Sequence, residues 1–473
     1  MSDGMPEVTP LQLNASGFAR IRHWTRKVLG LDRAVGFTVL ARFWSSAAGL
    51  VTVVLIAKFL SPAEQGYYYT FGSLVALQIV FELGFSYVIL QLASHERSEL
   101  SISSDYEISG APVAHARLAS VLQKSVRWYS VAAVLMAGTL LPVGFYFFST
   151  HQHAGQTVFW KLPWCSAALM AALNFQLDPF LSFLEGCGYV PEIARLRFMQ
   201  SATGSLLAWI VLINHLGLFA PSMMLFGMAS ASLVWLAGKH KLLLGLLRHQ
   251  AGTHRIRWSH EVWPFQWRIA VSWLSGYFLF WIFNPILFAF RGPVEAGKMG
   301  MSLSLVNAIQ AIAVSWVSTK SAPFGTLIAR KEYRQLDQTF FQALKQSFLV
   351  SLAGALTAWL GCIYLNLRHF SFSRRLLDPF SLGVLLLYMI MNVIISSEAY
   401  YLRAHKQEVF FVNSLVGALT VAPCALIFGR LYGAMGIVVS TCLLNSIGLV
   451  WATYKFRKYR MLWHTPQEPP VSS

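Results

Sequence analysis

Charge is scarce in this chain. Of its 473 residues only 12% are Asp, Glu, Lys or Arg, and 56% are apolar. A soluble globular domain carries about twice that charge fraction. A water-soluble protein so apolar could not cover its own surface, whereas the lipid-facing surface of a helix bundle needs no such cover. Acids are scarcer still, 20 against 37 Lys and Arg, for a formal net charge of +17. On a soluble protein that excess would suggest nucleic acid. Here the basic residues sit mostly in short connectors between apolar spans, the topogenic pattern of an inner or plasma membrane protein. Nucleic acid is therefore not expected as a partner.

Cysteine is thin and unpaired. Cys165, Cys362, Cys424 and Cys442 fall inside apolar spans and Cys187 in a short connector, without the spacing of a zinc site or a disulfide framework. His151 and His153 have metal-like spacing but lack a third ligand nearby. No metal or cofactor is expected. The N-terminus lacks a short apolar stretch followed by a small-residue cleavage site, so no signal peptide is expected to be removed.

What the chain does have is long apolar runs. About 20 apolar residues cross the roughly 30 Å hydrocarbon core. Twelve candidates occur, at about 36–60, 67–93, 126–148, 158–186, 196–214, 217–237, 264–290, 297–318, 343–366, 379–402, 409–429 and 434–454. Lipid offers backbone groups no water, so these must be helices. The ten-residue alternating segments of a β-barrel are absent. With both termini in the cytoplasm, 28 of the 37 Lys and Arg fall on the cytoplasmic side and eight on the other, Arg42 lying within the first span. That bias sets the orientation. Residues 14–33 interleave Phe18, Ile21, Trp24, Val28 and Leu29 with basic residues and read as an interfacial amphipathic helix. The last ten residues read as disordered.

The chain also repeats itself. FLSPAEQGYYYTFGSLV at 59–75 and FRGPVEAGKMGMSLSLV at 290–306 match at seven of 17 positions after a shift of 231, Pro62/Pro293, Glu64/Glu295 and Gly66/Gly297 among them. Chance would give about one or two. Six spans separate the two, so the halves run through the membrane in the same direction, as a parallel repeat. Pro starts a helix well, and an acid in its first turn complements the dipole.

From Leu40 to Glu96 the chain contains LARFWSS, AKFLSPAEQGYYYTF, ALQIVFELGFS and QLASHE. In these segments it resembles bacterial polysaccharide-export proteins of the O-antigen flippase type, in the multidrug, oligosaccharidyl-lipid and polysaccharide exporter superfamily. The resemblance implies an all-α integral membrane protein of about twelve helices in two parallel six-helix lobes, around a cavity open to one side at a time. It also implies a lipid-linked saccharide as cargo, carried on a polyprenyl pyrophosphate in the bacterial inner membrane. Polysaccharide polymerase and glycosyltransferases would be its partners. The expected organisation is a tail with the interfacial helix over 1–35, lobes over 36–237 and 264–456 joined by a cytoplasmic linker, and a tail over 457–473.

Ionisable side chains inside spans are costly and therefore informative. Arg42, Arg268 and Lys298 are the cations expected to meet a pyrophosphate, Arg through paired donors and Lys as a point charge; Arg42 matches the Arg of LARF in the resembled motif. Arg268 and Lys298 open their spans and read equally well as snorkelling to lipid phosphates. Glu82, Asp178 and Glu398 are candidates for a coupling proton or cation, with helix–helix bonding as the equal alternative. Glu185 lies in span four and Arg403 ends span ten. Gln78 and Asn307 offer polar groups to sugar hydroxyls. Tyr67, Tyr68 and Tyr69 read as an interfacial aromatic belt. Gly84, Pro142, Pro179, Pro285 and Pro423 are positions where helices could bend.

The leading reading is a non-enzymatic flippase for lipid-linked oligosaccharide. A drug or cation antiporter of the same superfamily would favour acids over cations in the cavity. A saccharide polymerase or ligase would need sizeable outward loops with clustered carboxylates, and the connectors are too short.

Overall fold

The computed structural model describes residues 33–103, 107–152, 158–249, 256, 263–405 and 409–464. The amphipathic stretch expected over 14–33 lies outside them except for Arg33, as do residues 465–473 and His153. The side chains of Arg42 and Arg268 are outside the description too, although both residues lie on helices.

Every expected span is helical. The first is α1 (Arg33–Phe59). The second is α2 (Pro62–Val75), a 3-10 turn at Ala76–Gln78, α3 (Ile79–Glu82) and α4 (Phe85–Arg97). A hairpin of β1 (Leu100–Ile102) and β2 (Ile108–Gly110) leads to α5 (Pro112–Thr150). Then come α6 (Lys161–Gly186), α7 (Val190–Ile213), α8 (Ala220–Ala237) and a short α9 (His240–Arg248). The second half has α10 (Trp263–Phe280), α11 (Phe283–Arg291), α12 (Pro293–Ser318), α13 (Ser321–Ala329), α14 (Tyr333–Leu367), α15 (Pro379–Ala404) and α16 (Phe411–His464). Among the described residues nine helices are long and apolar enough to cross a membrane, ten if the bent pair from Pro62 to Arg97 is one span. The chain is a multi-pass membrane protein.

Local chemistry explains the starts and breaks. Ser61 and Glu64 form a capping box at α2: Ser61 Oγ accepts from the Glu64 amide at 3.2 Å, and the Ser61 amide donates to the Glu64 carboxylate at 2.8 Å. The second span bends by 44° where Leu83 and Gly84 are left-handed, with φ of 50° and 68°. Pro142, Pro179 and Pro423 stay inside their helices. Pro285 sits in the first turn of α11, just after the break between α10 and α11, where a missing amide proton costs little. Within α16 the chain turns back at Gly433 (φ 65°, ψ −145°). A Cβ there would lie 2.2 Å from a Glu295 carboxylate oxygen, and one at Gly436 would lie 2.2 Å from the carbonyl oxygen of Phe428. Residues eight apart meet only if the helix folds back on itself, so α16 is two antiparallel helices, as the two expected spans 409–429 and 434–454 require. The starts of α5 and α14 precede the expected ones, since polar helix beyond the membrane leaves no hydropathy signal.

In the first half α7 packs on α1 and α8, and α6 on α4, α5 and α8. In the second half α12 packs on α14 and α15, and α16 on α10, α11 and α15. The seam between them is α2 against α12, the two copies of the repeat. Their glycines allow it: a Cβ on Gly66 would stand 1.9 Å from the Pro293 carbonyl oxygen, and one on Gly297 2.9 Å from the Gly66 nitrogen. Gln65, buried beside them, donates to the carbonyls of Gly297 (2.8 Å) and Arg375 (3.0 Å).

The turns alternate between two faces. The seam face gathers residues 60–66, 291–297, 375 and 430–434. There Arg375 donates to the Leu60 carbonyl at 2.6 Å, Arg291 to that of Arg430 at 3.1 Å, and the Ala434 amide to Glu295 at 2.6 Å. The opposite, basic face holds a second set of ties. Arg117 pairs with Glu96 at 2.8 Å, and Gln123 holds the carbonyls of Leu246 and His249 at the end of α9. Asp337 accepts from Arg460 (2.7 Å) and Tyr401 (2.6 Å). The tyrosine belt is not as expected at Tyr67. That ring is 3% exposed and packs against Phe71, Phe148 and Phe288. It belongs to an aromatic core under the seam face, because α2 is covered there by α5 and α11.

Candidate functional site

Two adjoining cavities lie between the seam and the basic face. The first, about 520 Å³, is bounded by both halves. Small side chains make the room: Ala41, Ser45 and Ser46 on α1, Ala194 on α7, and Ala311, Ser315 and Ser318 on α12. The α12 residues recur at helical spacing and so share one face. Arg197 of α7 enters this space, 61% exposed, paired to Glu185 at the end of α6 at 2.6 Å.

The second cavity, about 770 Å³, lies within the second half, between α12, α15 and both arms of α16. It shares Ala311, Val314 and Tyr400 with the first. On α15 its lining runs Tyr388, Asn392, Ile395, Ala399, Arg403, again one helical face. Five carboxamides line it: Asn307, Gln310, Asn392, Asn413 and Asn445. Trp451, Tyr388 and Tyr400 supply aromatic surface. Asn445 donates to the Tyr388 carbonyl at 3.4 Å. The Asn392 amide nitrogen is buried beside the Tyr388 hydroxyl, toward which it donates. Among the described residues the one acid across both linings is Glu185, already paired with Arg197.

The acids singled out by sequence sit elsewhere, and two of them come together. Ser86 donates to the Glu82 carboxylate and shares a 3.2 Å bond with the Tyr129 hydroxyl. Asp178 is near enough to both Glu82 and Arg197 to feel their charges. Glu398 is apart from them, 3% exposed, accepting from Thr453 at 2.9 Å; its other oxygen is buried without a hydrogen bond among the described residues, and Arg457 acts on the carboxylate electrostatically.

The expected substrate-binding residues are scattered. Asn307 lines the second cavity. Gln78 is in the 3-10 turn before the bend, half-buried and in neither lining. Arg42 is next to the cavity-lining Ala41, and Arg268 is near the start of α10. Lys298 lies near the start of α12 by the seam. Arg42 precedes the end of α1 by 17 residues, about 25 Å at 1.5 Å per residue, so it and Lys298 are near opposite faces. Sequence reasoning passed over Arg197, although it falls inside the fifth expected span, and did not choose Arg403. It also missed Asn413 and Asn445, whose spans look merely apolar until α16 folds back.

No family model matches the chain, and no curated protein does. Solved structures do. A MATE multidrug transporter, DinF-BH, solved as a complex, is similar at TM-score 0.62 and 14% identity, over 91% of this chain and 96% of that one. An inward-facing multidrug resistance MATE transporter of the MOP superfamily matches at 0.55 and 13%, over 89% and 100%. The lipid II flippase MurJ in an inward closed conformation matches at 0.54 and 15%, over 90% and 89%. Identities this low speak for architecture alone, and the chain has the all-helical membrane-transporter fold that these MATE and MurJ structures share.

Proposed function

We propose that the chain is a transporter that flips a polyprenyl-pyrophosphate-linked oligosaccharide across the bacterial inner membrane for surface polysaccharide synthesis. Two six-helix lobes, 36–237 and 264–456, would rock about the α2–α12 seam, with both termini in the cytoplasm. Glycosyltransferases would supply the cargo and a polymerase would consume it. One observation carries the reading: among the described residues the polar groups of the joined cavities, set in aliphatic and aromatic surface, are carboxamides, hydroxyls and two arginines, without an unpaired acid. Amides both donate and accept, which suits sugar hydroxyls, and arginine suits phosphate. A cationic drug would find no carboxylate there beyond the paired Glu185. Fold alone does not choose between these cargoes, since one fold hosts many functions. Arg42 and Arg268, on helices that start at the basic face, would add to the phosphate-attracting charge, and Lys298 would act near the other face.

The Asn392→Ala/Asn445→Ala double variant and Arg42→Ala should each fail to restore surface polysaccharide in a strain lacking its exporter. Full restoration by the double variant at normal expression would sink the assignment. The Glu82–Asp178 cluster favours a second reading, exchange of a drug for a proton or cation with those acids and Glu398 as coupling groups. A drug-resistance phenotype that needs Asp178 would support it.

A further inference from the structure

The second cavity divides by chemistry along its depth. On α15 the lining runs from Arg403, in the last turn at the basic face, inward to Tyr388. Those 15 residues cover about 22 Å of helix. Arg403 is at the outer end of that path and Arg197 lies in the adjoining cavity; Tyr400, common to both, sits one turn from Arg403. Deeper in, the polar groups are neutral: Asn392 on α15, and Asn445 on the returning arm of α16. We propose that this inner cavity is the glycan subsite, and that the pyrophosphate stays at its mouth between Arg197 and Arg403. The inference rests on the transport reading above.

Three physical points support the division. A pyrophosphate carries charge that is expensive to bury away from cations, and among the described residues the deep part of the cavity offers none. The polyprenyl tail is joined to the phosphates and stays in lipid, so phosphates held near headgroup depth leave only the sugars to reach inward. The sugars then meet groups that fit them. The buried Asn392 amide, set beside the Tyr388 hydroxyl, has a second N–H to give to a sugar oxygen, and Trp451 offers a flat face to a sugar ring. The bond to Glu185 leaves most of the Arg197 guanidinium fork unused for phosphate oxygens. A volume of about 770 Å³ is within the range that holds a ligand of several rings.

Thiol protection in cells tests this. Single cysteines are placed in the full chain at Thr420, in the cavity of the second half, and at Ser46, in the cavity between the halves that holds Arg197. Labelling by a membrane-permeant maleimide is corrected for the native cysteines using the parent chain. Three strains are compared: one making the complete lipid-linked glycan, one blocked after the first sugar, and one making no lipid-linked sugar. Ser46→Cys should label several-fold more slowly in both sugar-making strains than in the third. Thr420→Cys should be slowed several-fold only where the glycan is complete. Equal labelling of Thr420→Cys in all three, with Ser46→Cys protected, would overturn the glycan subsite. Equal protection of Thr420→Cys by the one-sugar carrier would overturn the placing of the phosphates. Absence of protection at both positions in every strain would sink the transport reading itself. Ser396→Cys, also in the inner lining, replaces Thr420→Cys if that variant fails to reach the membrane.

Discussion

Gly66→Ala should destabilise the α2–α12 seam, although alanine is the better helix former. The propensity gain is at most about 1 kcal/mol. Against it stands a Cβ placed 1.9 Å from the Pro293 carbonyl oxygen and 2.5 Å from its carbon, where ordinary contact begins at 3.4 Å. The obstacle is backbone, so the helices must separate by about 1.5 Å; overpacking of this kind costs about 1–3 kcal/mol. Separation also stretches the 2.8 Å Gln65–Gly297 bond, worth about 1 kcal/mol. The net, about 2 kcal/mol, shifts the closed-seam equilibrium about 30-fold. Gly72 is the control, on the same helix with nothing within 4 Å of its would-be Cβ. Thermal unfolding in detergent should show Gly66→Ala below the parent and Gly72→Ala at or above it. Cargo-independent accessibility of the seam to an impermeant thiol reagent should rise only in the first. Identical behaviour of the two variants would refute the reasoning.

Other outcomes follow from the same contacts. Arg375→Ala removes the donor to the Leu60 carbonyl and one partner of Gln65, and should cost about 1–3 kcal/mol of seam stability, read by the same unfolding assay. Beyond the apolar spans, burial holds the pKa values of His405 and His464 below the ordinary value, with Asp337 pulling the other way. A detached chain end then binds protons more readily than the docked one. The docked state keeps its full advantage above the ordinary histidine pKa and loses it as pH falls below. Hydrogen exchange over residues 455–464, corrected for intrinsic rates, should therefore quicken in acid, and less so in His464→Phe. Glu398→Gln should keep the Thr453 bond and the fold while abolishing any pH dependence of transport in vesicles; unchanged pH dependence would remove Glu398 from the coupling groups.

Much of the architecture was legible because lipid imposes one rule on every span, and the rule is written in hydropathy. The repeat was legible too, since Gly66 and Gly297 are demanded by the close approach at the seam, and Pro62 and Pro293 open the two helices that form it. What hydropathy does not carry was missed. The amphipathic α9 buries Leu242, Leu243 and Leu246 beside a connector that reads as merely basic. The hairpin at 100–110 is held by backbone pairing rather than by composition. At the site, a cation's depth in its span was a weaker guide than its neighbours. Arg197 matters because Ala41 and Ser315 leave space around it, and that depends on which helices face each other.

Glu64 and Glu295 hold the same place in the repeat and do different work. Glu64 closes its own helix start, whereas Glu295 reaches across to the hinge of α16 and caps the arm beginning at Ala434. The duplicated motif has thus been put to two uses, and the second couples parts that sequence keeps far apart. The returning arm of α16 carries Asn445 and Trp451. If the lobes rock as proposed, a displacement of α12 at the seam would pull on that arm through one carboxylate, and opening one face would reshape the inner cavity near the other. Glu64 instead faces Arg375 across the seam and, among the described residues, bonds to no helix hinge, which would make the two halves unequal partners in a rocking motion.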